Sequence, residues 1–574
     1  MIRKIKILII IVISLIGLDT YSQNLESVST EDWFKYKGGL NLNSTAYNAV
    51  GMDSRRDPFF WGIDANLNFT LFNIINVPLS AHYSKDNNTF SHPTYNYFGL
   101  SPNYKYITVH AGYRSMQFSS YSLSGLTFLG GGIEVNPENS LVKFSAMYGR
   151  FAKAVPYKID SGYIASVNPF NVVGYERWGY GGKLTIGKEK HSVDLILFKA
   201  KDDVNSIPDP GEESGIKPQE NLVIGFNTKN KITEKISLQT EYSLSAFSRD
   251  IRVAERKMET FTYVNNVGDL FTSRYSTTIN SAYSANLNYA GGTFSAGIVY
   301  KHIDPEYQSL GTTYMSNDLE NIYLNLKKSF FKNGLSFSGN IGQERNNISN
   351  TLDATDKRVI GSVNCNISLF NPLNVTLSYS NFNANTLPVA TIMQDTFKYV
   401  QVTENYGINA SYQLSGEKFS HNFSVSSMVQ TMNTLNRNAT TVTDMNTEVF
   451  NTNLNYNLFW VKLKLNIMTS VSYNYFLSGE GIGKTTGIGP TVGLNKGFLK
   501  NKMQTSVMYT YQNNKTSGIN ESKMNVVRIN GSYKVTSHQS LRFSLSMMFR
   551  LNDNNEEIIK QEEYNARLTY SYSF

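Results

Sequence analysis

The sequence predicts an all-β chain whose antiparallel strands close into one large barrel. Three observations predict it. Apolar and polar residues alternate with period two through segment after segment, the pattern of a strand with one face against an apolar medium. Short turns rich in Gly, Asn, Pro or charge alternate with longer, irregular connections, as in a run of hairpins. Aromatic residues reach 13% (37 Tyr, 33 Phe, 4 Trp) while charged ones are only 17%, below the quarter or so of a typical soluble domain.

Met1, Arg3, Lys4 and Lys6 open the chain, followed by an apolar run from Ile7 to Leu18 and then Thr20, Tyr21 and Ser22 before Gln23. A basic region, an apolar core and small residues ahead of a cleavage point predict a removable secretory signal over 1–22. The run falls short of the ~20 apolar residues of a membrane-spanning helix. No cysteine follows it, so lipid anchoring is not expected. Residues 23–35 are then a short amino-terminal segment and 36–574 the barrel, with no separate plug domain.

A first strand is expected near 36–43. In the next, Trp61, Ile63, Ala65, Leu67, Phe69 and Leu71 share one face, and a turn at 73–76 leads to Val77, Leu79, Ala81 and Tyr83. Further turns are placed at 101–103, 136–140, 187–191, 233–235, 290–292, 327–334, 371–372, 415–418, 458–460, 495–501 and 535–539. Long connections fall at 151–177, 201–220, 249–277 and 381–402, and the last strand at 562–574. The count gives about 26 strands, or about 24 at the lower bound, each with ~9–11 crossing residues.

The last eleven residues read Y-N-A-R-L-T-Y-S-Y-S-F. Tyr564, Ala566, Leu568, Tyr570, Tyr572 and Phe574 fall on one face, and the chain ends on an aromatic residue. This resembles the closing strand of bacterial outer-membrane β-barrels, and the whole mature chain resembles that class. The resemblance implies a multi-pass barrel in the outer membrane of a Gram-negative bacterium, with periplasmic turns and extracellular loops. It also implies insertion by the barrel-assembly machinery, with Tyr570, Tyr572 and Phe574 as part of the assembly signal, and outer-membrane lipids as neighbours. The Y-S-Q-N end of the leader resembles signals from Bacteroidota. TonB-dependent receptors are similar in barrel size but carry an amino-terminal plug, for which 23–35 leaves no space; energised uptake by this chain alone is not expected.

The faces predict what lies inside. Ile107, Val109, Ala111 and Tyr113 would face out, placing Tyr106, Thr108, His110 and Arg114 within. Val142, Phe144, Ala146 and Tyr148 would face out, leaving Lys143 and Ser145 inside. Towards the carboxyl end the inward set becomes basic, with Lys462, Lys464, Arg528, Lys534, Arg542 and Arg567. A basic lumen wall would favour anionic solutes; alternatively several of these sit at the rim beside turns and stay solvated. Residues 115–132 are too apolar for an exposed loop and too interrupted for a strand. Either Met116, Phe118, Tyr121 and Leu123 fold inward and narrow the pore, or the segment continues as a strand with a glycine bulge at Gly130 to Gly132.

Signals for catalysis are weak. His82, His92, His110, His191, His302, His421 and His538 are scattered without metal-ligand spacing, and Cys365 is single. Asp202-Asp203 and Glu212-Glu213 read as solvated loop charges, and Gly481 to Lys484 lacks a following helix to cradle phosphate. No enzyme activity, metal or cofactor is expected. The net charge of +8 is mild for this length and predicts no nucleic-acid partner. The function this resemblance implies is a channel or transport barrel, and because even ~16–18 strands leave an aqueous bore, inward loops or a partner must close one this large. The alternative is a structural barrel subunit of a secretion or assembly complex, docking a plug, a lipoprotein or an exported polypeptide.

Overall fold

The computed structural model describes residues 33–574 apart from 86–95, 157–173, 263, 264, 266, 314, 352, 353, 371, 389–397, 439, 440, 480–482, 517–519 and 554–556. The leader expected at 1–22, and His92, lie outside the described residues. One antiparallel sheet of 27 strands contains the fold. Two of them, Tyr97–Leu100 and Asn103–Tyr104, are pieces of one interrupted strand, since both pair with the same two neighbours. The result is a closed barrel of 26 strands.

Closure is made by the chain ends. The first strand, Phe34–Val50, pairs with Phe59–Leu71 on one side and with the last strand, Ile558–Ser573, on the other, in register from Gly39 opposite Ser573 to Val50 opposite Glu562. The Phe574 N–H continues this seam by donating to the Gly38 carbonyl, 3.0 Å away. With every strand paired on both sides, the backbone groups are satisfied within the wall.

Period-two alternation sorts the side chains. In the last hairpin Leu541, Phe543 and Leu568 are exposed on the outer face, while Arg542, Ser544, Arg567 and Thr569 line a depression on the other. Exposed apolar rows repeat around the wall, for example Ile341 (59% accessible) and Val363, and such a band needs lipid against it. Aromatic pairs rim it. Tyr36 and Tyr572 meet Phe574 edge-on at 5.4 and 4.7 Å, and Phe419 lies 5.4 Å from Trp460, all at the turn end. Tyr148 stacks on Trp178 at 5.3 Å towards the loop end. Rings with one apolar body and one wet edge suit both interfaces.

The connections depart from expectation in places. The turn expected at 101–103 lies instead at Lys105 and Tyr106, with Lys105 at φ 52°. Pro102 breaks a strand there without reversing it, because neither it nor Pro78 on the adjacent strand can donate to the ladder; the Ser101 N–H still donates to the Pro78 carbonyl, 3.0 Å away. The turn placed at 458–460 falls at 461–464, and much of the connection placed at 381–402 is strand, Leu373–Pro388 and Lys398–Ser415. Strands in this half run to 20 residues, as in Phe419–Asn438 and Thr441–Trp460, about twice the ~9–11 needed to cross. Gly130 to Gly132 lie in a regular strand, Thr127–Val135, whose register against Ile107–Ser115 runs unbroken, so no bulge forms.

A row of directly opposed glycines crosses five neighbouring strands: Gly99, Gly112, Gly130, Gly149 and Gly179. A Cβ on Gly130 would run into the Tyr148 carbonyl and come within 2.5 Å of the Gly149 Cα, and Gly112 holds φ 87°. Side chains cannot occupy that line, and glycine there lets the wall bend.

Candidate functional site

Two connections turn into the barrel and meet. Residues 116–126 link strands Ile107–Ser115 and Thr127–Val135, and residues 304–318 link Phe294–Ile303 and Leu319–Phe330. Leu123 and Ser124 pair in parallel with Gly311 and Thr312 as a second, two-stranded sheet, and an isolated antiparallel bridge joins Gly125 to Thr312. The Tyr307 hydroxyl donates to the Tyr121 carbonyl at 2.7 Å, and the Ser309 hydroxyl to the Ser122 carbonyl at 2.5 Å.

Both segments are tied to the wall beneath them. The Leu310 N–H donates to Asn221 Oδ1 (3.1 Å), Ser245 Oγ to the Gln308 carbonyl (2.6 Å), Lys183 Nζ to the Gln117 carbonyl (3.3 Å) and the Ser120 N–H to Glu241 Oε2 (3.3 Å). Strands from Ile107–Ser115 round to Leu319–Phe330 thus carry an inner lining made of their own connections. A polar backbone inside a barrel is tolerated when its groups are paired in this way.

Packing reinforces the hydrogen bonds. Met116, Phe118 and Leu123 join Phe128, Met147, Ile196, Phe198 and Phe247 in one buried cluster, and Tyr121 joins Tyr307, Ala282 and Ile303 in a second. Glycines form the seats. A Cβ on Gly181 would lie 2.9 Å from the Phe118 ring, one on Gly311 2.7 Å from the Phe198 ring, and one on Gly132 would strike the Met116 sulfur. Each large side chain buried there contributes about 1.5–3 kcal/mol. Burial pushes the Tyr121 hydroxyl up to about 12 and raises that of Tyr307 as well, so both phenols stay neutral and the Tyr307 proton stays available to the Tyr121 carbonyl.

Met116, Phe118, Tyr121 and Leu123 are therefore buried together, Leu123 completely. Arg114 is engaged in the wall: its guanidinium donates to Ser80 Oγ at 2.7 Å and to the Gly99 carbonyl. Lys143 lies opposite Thr185 on the face that holds Ser145 and Met147, both buried. Arg528, Arg542 and Arg567 stand on three adjacent strands and share a face. Lys462 and Lys464 are not on a strand wall: they occupy the turn after Trp460, exposed, with Lys464 at φ 49°. The strand runs further than its alternation suggested, so the two lysines fall at the rim. Tyr570 and Tyr572 sit in the closing strand, with Phe574 directly after it.

Sequence reasoning missed the second segment. Tyr307, Leu310 and Met315 give it the same signal as 116–126, large apolar side chains where an exposed loop would be polar. It also missed Asn221, wholly buried on an inward face, whose amide donates to Ser245 Oγ at 2.7 Å while its oxygen takes the Leu310 N–H.

A different connection covers the outer face. Phe271 packs with Leu222 and Ala246, over a buried ion pair between Lys199 and Glu220. The covering connection thus keeps both charges buried against protein. The histidines pair separately: His82 Nδ1 with Asp64 at 2.5 Å and His302 Nε2 with Asp304 at 3.0 Å, with Glu134 3.5 Å from His110. No group of three metal-binding side chains occurs among the described residues.

Fold and site together define a large closed β-barrel with an inner lining on part of its wall. No family model and no curated relative matches the sequence. Solved structures match over most of the chain. The translocation pore of the P pilus usher is similar at 10% identity and a TM-score of 0.36, over 94% of this chain and 99% of that one. The outer membrane protein OpdK from Pseudomonas aeruginosa matches at 10% identity and 0.27, over 94% and 99%. Wzi, a carbohydrate-binding β-barrel involved in group 1 capsule assembly in Escherichia coli, matches at 10% and 0.31, over 60% and 80%.

Proposed function

We propose that this chain is an outer-membrane channel whose bore is narrowed by two of its own connections. The meeting of 116–126 with 304–318 inside the wall carries this reading. A barrel of this strand number would enclose a wide aqueous bore, since ~16–18 strands already leave one. The apolar outer band and its aromatic rims support placement in the outer membrane; delivery by the barrel-assembly machinery through Tyr570, Tyr572 and Phe574 is part of the same proposal. Met116, Phe118, Tyr121 and Leu123 act as the constriction by holding the inner lining on the wall.

Purified protein in planar bilayers should show stepwise conductance. Deleting 115–126 should enlarge each step, and the milder Phe118→Ala with Leu123→Ala should raise its noise and mean size. A silent protein that leaves mild detergent with stoichiometric partners would instead be a structural subunit of an assembly complex.

A further inference from the structure

We propose that the lumen wall beside the strand seam holds a binding site for small multivalent oxyanions, formed by Arg528, Arg542 and Arg567. This rests on the channel reading for its role in permeation, though not for the binding itself. The three arginines stand on neighbouring strands, Asn520–Lys534, Gln539–Asp553 and Ile558–Ser573. Asn530 lies opposite Ser544, Ser532 opposite Arg542, and Ser544 opposite Arg567. Arg542 and Arg567 are thus diagonal neighbours, a spacing of about 7–8 Å from which two long side chains can converge. Arg528, opposite Ser546 on the same face, follows beyond Asn530 on the far side, outside the hollow that Arg542 and Arg567 line.

The surroundings supply charge and donors without neutralising them. All three side chains are exposed, and none forms an ion pair among the described residues. The hydrogen bonds nearby bring no opposite charge: Ser544 Oγ donates to Asn530 Oδ1 (2.7 Å), Asn530 Nδ2 to Ser506 Oγ (3.2 Å), and the Arg567 guanidinium, through Nη2, to the neutral amide oxygen Asn43 Oδ1 (3.4 Å). Asp64 is the carboxylate of this depression, and it is occupied by Asn43 Nδ2 at 3.0 Å and by His82. Arg542, Arg567, Asn41, Thr569 and Ser571 line a hollow of about 610 Å³. Guanidinium forks suit planar carboxylate or phosphate oxygens and take them two-pronged. Unpaired like charges clustered on one wall also concentrate anions around them.

The test compares wild type with Arg528→Gln/Arg542→Gln/Arg567→Gln and with the triple lysine variant, each first shown to be folded by heat-modifiable gel mobility. In bilayers under a potassium chloride gradient at about 0.1 M, where screening reaches ~10 Å, wild type should favour chloride. The glutamine variant should lose about threefold or more of that preference. Inorganic phosphate should depress the chloride current in wild type, less in the lysine variant and not in the glutamine one. An unchanged permeability ratio with unchanged conductance would overturn the proposal. Should no channel form at all, the channel reading falls. The site is then judged by phosphorus NMR line broadening of inorganic phosphate in detergent: broadening lost in the glutamine variant upholds it, and equal broadening or none sinks it.

Discussion

The Tyr307 hydroxyl donates to the Tyr121 carbonyl across 2.7 Å and 186 residues of chain. Two connections from distant hairpins are joined by this bond inside the wall, and the parallel pairing of Leu123 with Gly311 follows on from it. Neither segment has a ladder of its own to lie in. Each is held by the other and by the strands underneath.

Tyr307→Phe tests that interlock. The ring keeps its place in the buried cluster while the hydroxyl is lost, leaving the Tyr121 carbonyl without this donor, at a cost of about 1–3 kcal/mol. Amide exchange across 121–124 should quicken several-fold while that of the barrel strands stays as it was. Single-channel records should become noisier. Equal exchange in both proteins would show that the bond does not hold the segments together.

The glycines divide into two kinds, and substitution should separate them. A Cβ at Gly130 meets the backbone of Tyr148 and Gly149, which cannot yield, whereas at Gly132 it first meets the flexible Met116 side chain at its sulfur, with the Ala146 carbonyl next at 3.3 Å. Gly130→Ala should therefore impair barrel assembly, seen as loss of the heat-modifiable folded band. Gly132→Ala should assemble, with Met116 displaced and conductance altered.

Much of this architecture is legible in the sequence because strand alternation and turn chemistry are local. The hairpin turns expected at 73–76, 233–235 and 535–539 and the closing strand follow from near neighbours, while the same local pattern leaves 115–132 open between an inward fold and a bulged strand. What is not legible depends on residues far apart. Pro102 reads as a turn until it is set beside Pro78, and only then does it read as a gap in a ladder. Lys462 and Lys464 read as wall residues because nothing nearby says that the strand runs on through Trp460. The partner of 116–126 is invisible, since no local pattern can tell Tyr121 that it will meet Tyr307.

At the turn 232–235, Glu234 accepts hydrogen bonds from Lys190 and Lys231, which hold its carboxyl down at about 2. Its ordinary value is 4.5. A depressed carboxyl contributes stability above its unfolded value and loses it as pH falls through the folded one. Protection of the turn amides, corrected for intrinsic exchange, should thus be flat from pH 7 to about 5 and decline between about 4.5 and 2. Because the group is fully exposed, about 1 M salt should erase most of the difference from Glu234→Gln. Protection that rises on acidification would contradict the assignment.

Lipid outside and water inside is the claim on which the rest depends, and Cys365, the single cysteine, makes it directly measurable. In a Cys365→Ser background, cysteines are placed one at a time at Leu541, Arg542, Phe543, Ser544 and Leu545 in protein reconstituted into bilayers. A probe attached at 541, 543 and 545 should be quenched by lipid-borne quenchers, while a water-soluble maleimide should react at 542 and 544. Uniform labelling along the strand, or quenching without alternation, would contradict the account.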